Sequence, residues 1–97
     1  MGLKQAYQDK MAAQIKEWAA KMEVWKAKAA KASAEARIEL NKQMEILRPK
    51  LEAAQQKLKE MQAASEPAWE KIKEGSTKAM ADLKQAWEAA KSKFEKQ

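Results

Sequence analysis

Ninety-seven residues, 20 of them Lys or Arg against 14 Asp or Glu, make a basic chain of net charge +6 with the length of one domain. It has neither cysteine nor histidine, which excludes disulfides, thiolate metal sites, cysteine nucleophiles and the commonest general base and metal ligand. Of the residues counted as hydrophobic, 21 are alanine and only 23 are larger; two Gly, two Pro and an abundance of Ala, Glu, Lys and Gln set the class as all-α, with long helices or coiled coils.

Met1-Gly2-Leu3-Lys4-Gln5 contains no apolar core of a cleavable signal, and no uncharged apolar run approaches the roughly 20 residues of a membrane span. A cytoplasmic location is therefore expected. From about residue 4 the chain reads as helix. Stepping by three or four from Tyr7 gives Met11, Ile15, Trp18, Met22, Trp25, Ala29, Ala32, Ala36, Leu40, Met44, Leu47, Leu51, Ala54, Leu58 and Met61. These lie on one narrow stripe. Val24, Ile38 and Ile46 fall outside it and hint at a second contact face on the first half. The stripe predicts a first helix over about 4–64, kinked near Pro49, where the missing N–H and the clash with the preceding turn weaken an interior helix without a hairpin's turn residues beside it.

Ser65-Glu66-Pro67 is stronger punctuation: Ser65 can cap, Pro67 is tolerated in a first turn, and Glu66 and Glu70 suit a helix N-terminus. A turn over about 65–67 and a second helix over about 67–95 are predicted. The stripe resumes through Trp69, Ile72, Ser76, Met80, Leu83, Trp87, Ala90 and Phe94. Its mean step, about 3.6 residues, lies between a heptad and an 11-residue repeat, so nearly straight helices are expected rather than a uniform zipper.

The chain thus reads as a single extended domain, 1–97: a long helical hairpin or coiled coil. A hairpin folded at residue 65 would leave Trp18 and Trp25 without partners in their own chain. A fold-back at Pro49 would instead place Trp25 near Ile72 and Met11 near Trp87. Either hairpin is too thin to bury its seam, so assembly with further copies, as a dimer or higher oligomer, is the expected completion.

Ala68-Trp69-Glu70-Lys71-Ile72-Lys73-Glu74-Gly75, then Ala79, Leu83-Lys84, Ala86-Trp87 and Ser92-Lys93-Phe94, resembles a family of small bacterial coiled-coil proteins named as stress-response proteins. Tyr7 to Gln14 and Arg37 to Leu47 fit the same pattern. The resemblance implies a long-helix fold, with no catalytic residue to carry over.

Nothing in the chain recommends catalysis. Carboxylates interleave with lysines as on a solvated face, and the row Glu66, Glu70, Glu74 lacks the histidine that a carboxylate-bridged metal site would add. No catalytic, cofactor or metal residues are assigned. The four tryptophans read first as packing against alanines. Their second reading is a membrane-surface helix with flanking lysines, so an anionic membrane surface is a candidate partner. Lys21, Lys26, Lys28 and Lys31 form a basic stretch opposed only by Glu23, a possible polyanion contact. Arg is confined to Arg37 and Arg48 and no nucleic-acid motif is present, so nucleic acid ranks behind self-association and lipid. The expected function is a non-enzymatic, self-associating structural or interaction protein related to stress response.

Overall fold

In the computed structural model, which describes residues 2–96, the apolar stripe is cut into three lengths that fold onto one another. Helix α1 spans Leu3–Lys31, α2 spans Ala34–Ala63 and α3 spans Glu66–Lys96. The chain runs up, down and up, so α1 and α3 are parallel to each other and antiparallel to α2. The three make a rod of 51 × 18 × 18 Å. A helix of about 30 residues rises about 45 Å, so each spans nearly the whole rod. The all-α class is borne out, and the described residues contain no strand.

The single first helix expected over 4–64 is not formed: it breaks at Ala32-Ser33. Both residues are extended, Ala32 at φ -77°, ψ 163° and Ser33 at φ -60°, ψ 162°. The break is locally satisfied. Ser33 Oγ accepts from the Ala36 N–H at 3.3 Å, and the Ala32 N–H donates to the Ala29 carbonyl. Arg37 Nη2 reaches back to donate to the carbonyls of Ala30 and Ala32, each at 3.3 Å. Serine at the cap and an arginine on the last carbonyls answer the polar groups that a helix end leaves unpaired. What the break gains is the burial of the stripe inside one chain.

Pro49 does not turn the chain; α2 runs through it without interruption. The second turn is at Ala64-Ser65, next to the expected one. The Ser65 carbonyl accepts from the N–H groups of Ala68 and Trp69, and Pro67 occupies the first turn of α3, where its missing N–H costs nothing. Two lysines of α1 also tie helix ends together, Lys4 Nζ donating to the Ala64 carbonyl and Lys28 Nζ to that of Phe94.

The core is the stripe. Leu40, Leu47, Ala54, Met61, Leu83 and Phe94 are fully enclosed, and each large apolar side chain so buried contributes about 1.5–3 kcal/mol. Ser76 is enclosed with them, and its hydroxyl has no partner.

Candidate functional site: the groove between α1 and α3

The seventeen seam residues expected to mediate self-association lie in or against this intramolecular core. Met11, Ile15, Trp18, Trp25, Leu40, Met44, Leu47, Leu51, Met61, Trp69, Leu83, Trp87 and Phe94 are buried; Met22, Leu58, Ile72 and Met80 are half-buried against them. The expectation that Trp18 and Trp25 lack partners in their own chain is overturned. Trp25 stacks between Trp87 and Phe94, each centroid 4.4 Å away and the planes inclined by 18° and 9°. Trp18 sits 5.8 Å from Trp87. The Trp25–Ile72 pairing of a fold-back at Pro49 is replaced by this ladder.

The same ladder defines the most open part of the bundle. α2 packs along both of its neighbours, whereas α1 and α3 touch much less. They are joined near their N-termini by Tyr7, which lies 6.3 Å from Trp69 and shares a hydrogen bond with Thr77 Oγ1, and near their C-termini by Trp25. The Lys73 ammonium stands 5.8 Å from the Tyr7 ring and 5.2 Å from Trp69, a cation over two aromatic faces that steadies the N-terminal junction.

Between the two junctions runs a groove of about 800 Å³. Its floor is apolar, from Met11 and Trp18 of α1 and Met80 and Trp87 of α3, and Val24, itself 58% exposed, stands at its edge. Lys10 and Lys21 on one side and Lys84 and Lys91 on the other line it, against Glu17 and Glu88. Lys10, Lys21 and Lys84 enter none of the ion pairs among the described residues; Lys91 stands 3.9 Å from Glu95. A volume near 800 Å³, an apolar floor and a few charged groups at the rim are the attributes of a small-molecule site.

Of the four lysines expected to contact a polyanion, Lys21 lines the groove and Lys28 is engaged with the Phe94 carbonyl. Lys26 and Lys31 are exposed. Lys26 is five residues from Lys21 and two from Lys28, well over 100° around the helix from each. The stretch is therefore not a single basic face. The groove lysines that sequence reasoning missed, Lys10, Lys84 and Lys91, lie far apart along the chain. Only the parallel pairing of α1 with α3 assembles them, and no local pattern announces that pairing.

Among the described residues no group of three or more acidic side chains could hold a metal ion, and Glu66, Glu70 and Glu74 stand exposed on the outside of α3. No helix of the described residues is long and apolar enough to cross a membrane. Comparison with protein-family models, with curated proteins and with solved structures gave no match.

Proposed function

We propose that this chain is a non-enzymatic helical binding protein that engages anionic lipid through the α1–α3 groove. The observation that carries the reading is the groove itself, with Met and Trp side chains beneath four lysines and two glutamates. An apolar trough with a cationic rim complements a molecule that is apolar along its length and anionic at its end. The charge of α1 adds to this: seven lysines against three acidic residues give it +4 of the chain's +6. Lysines near an anionic leaflet are worth about 1 kcal/mol each, fading within a Debye length.

The test is co-flotation with vesicles of phosphatidylglycerol compared with phosphatidylcholine, followed by tryptophan quenching with brominated acyl chains. Emission wavelength alone is a poor reporter, because Trp18, Trp25, Trp69 and Trp87 are already buried in the lipid-free bundle. Flotation with the anionic vesicles, weakened by salt and accompanied by quenching, is expected. A protein that stays at the bottom of the gradient with both vesicle types overturns the proposal.

A second reading, self-association, is supported by a different observation. Ile38 and Ile46 are 68% and 44% exposed on α2. An interface there would make the protein a dimer or higher oligomer without using the seam. Sedimentation equilibrium should then give a mass above one chain that falls when Ile38→Asp and Ile46→Asp are combined. A single-chain mass at all concentrations overturns this reading.

A further inference from the structure

We infer that the groove takes one long-chain fatty carboxylate per molecule, held within the closed bundle. The inference rests on the lipid-binding reading and adds the ligand's class and stoichiometry. Four observations lead to it.

First, the groove is bounded. Tyr7 against Trp69 and Thr77 joins the helices at one end, and Trp25 between Trp87 and Phe94 joins them at the other. A bundle held at both ends can admit a guest between the junctions without separating its helices. Aromatic pairs contribute about 0.5–1.5 kcal/mol each beyond their burial, so neither junction is trivial to open.

Second, the groove is long and thin. From Tyr7 to Val24 is 17 residues, about 26 Å at 1.5 Å each. The groove offers about 800 Å³ along that length. An extended acyl chain is narrow enough to enter along the whole length.

Third, the floor suits an alkyl chain. Met11 and Met80 are unbranched and polarisable, and so adapt to a flexible guest. Trp18 and Trp87 supply broad apolar surfaces beside them.

Fourth, the rim is cationic. The Trp18–Trp87 contact sets the register of the two helices. Lys10 and Lys21 of α1 and Lys84 and Lys91 of α3 are spread along the groove against Glu17 and Glu88, an excess of two positive charges. Lys21, one turn beyond Trp18, and Lys84, one turn before Trp87, flank the tryptophan pair from opposite helices, where a carboxylate can accept charge-assisted hydrogen bonds.

The experiment is isothermal titration of the full chain with hexadecanoate below its micellar concentration, alongside the vesicle flotation above. Saturable binding at one ligand per chain is expected. Lys21→Gln with Lys84→Gln should weaken it at least tenfold, as should the methyl ester in place of the acid. Ala81→Trp, at an exposed groove-lining position, should obstruct the trough and abolish binding; the unchanged far-ultraviolet spectrum of each variant confirms folding. Flotation with anionic vesicles but no saturable hexadecanoate binding overturns this inference and leaves the lipid-surface reading standing. Loss of both overturns both. Hexadecanoate binding that neither the lysine pair nor Ala81→Trp alters overturns the assignment to this groove.

Discussion

Trp25→Ala separates a seam buried within one chain from a seam buried between chains. Trp25 is 4% exposed and lies between two parallel rings at 4.4 Å, Trp87 and Phe94. Truncating a buried Trp to Ala costs about 3–5 kcal/mol, and the two stacked contacts place this residue toward the upper part of that range. A domain of 97 residues has about 5–15 kcal/mol of stability in all. A loss of roughly 4 kcal/mol would reduce its folding equilibrium constant by nearly a thousandfold. At about 4–8 °C per kcal/mol for a domain of this size, the Tm should fall by roughly 16–32 °C. Thermal and urea unfolding followed by far-ultraviolet circular dichroism measure this directly. The diagnostic feature is concentration. An intramolecular ladder predicts the same loss at low and high protein concentration, because no mass-action term enters. A Trp25→Ala loss that changes with protein concentration, or one of only a few degrees, would refute the intramolecular placement.

The other expectations concern single positions and use the same unfolding assay. Ser76→Ala removes a buried hydroxyl without a partner, whose burial costs about 1–3 kcal/mol, so the variant should be more stable; destabilisation would mean that the hydroxyl is hydrogen-bonded after all. Gly75→Ala should also stabilise, by about 1 kcal/mol, since an added Cβ meets the Lys57 side chain at an ordinary 3.7 Å. Pro49→Ala, at an exposed position inside α2, should gain about 2 kcal/mol, the helix-interior cost of proline less its restriction of the unfolded chain. Ser33→Ala removes the cap of α2 and should cost about 0.5–2 kcal/mol; no loss would show that Arg37 suffices to hold the turn.

The helical class, the buried stripe and the second turn are legible in the sequence for a common reason: each is a local pattern. The stripe is a spacing, and Ser65-Glu66-Pro67 gathers a cap, an acidic first turn and a proline within three residues. The first turn is hidden because its signals are weaker than the pattern that crosses it. Ala29, Ala32 and Ala36 keep the stripe in phase through Ser33, and alanine is also the best helix former. Even so, Lys28 and Lys31 just before Ser33 and Glu35 just after it have the charge order of one helix ending and another beginning. Pro49 lacks the turn residues of a hairpin, and α2 runs through it as the sequence leads one to expect. Its local cost is real, but the packing of Leu40, Met44, Leu47, Leu51 and Ala54 on either side holds α2 continuous. The partners of Trp18 and Trp25 are out of reach for a different reason: they sit more than sixty residues away, on a helix whose neighbour changes once the first turn exists.

The groove is a consequence of the same narrow stripe. In a three-helix bundle each helix must face two neighbours, so close packing on both sides needs a broad apolar surface. On α1 that surface is one residue wide over most of its length, and Met11, Ile15 and Trp18 alternate with Lys10, Gln14 and Glu17. That one column has to serve both neighbours, with Met11 and Trp18 lining the α1–α3 groove and Trp25 meeting Trp87 and Phe94. Beside it, toward α3, stand lysine, glutamine and glutamate, and these cannot enter an interface without losing their water. Contact between α1 and α3 is consequently made where bulky aromatics reach across, at Tyr7–Trp69 and Trp25–Trp87–Phe94 toward the two ends and at Trp18–Trp87 on the groove floor. The trough between those points lies where the stripe is too thin to close the bundle, and its lysine rim is the solvated flank of α1 brought opposite that of α3. Widening the stripe should therefore close the groove. Gln14→Leu with Lys10→Leu would give α1 a second apolar column, and the expected outcome is a more stable bundle that no longer takes up hexadecanoate. If that variant bound the ligand as well as before, the narrow stripe would not be what keeps the site open.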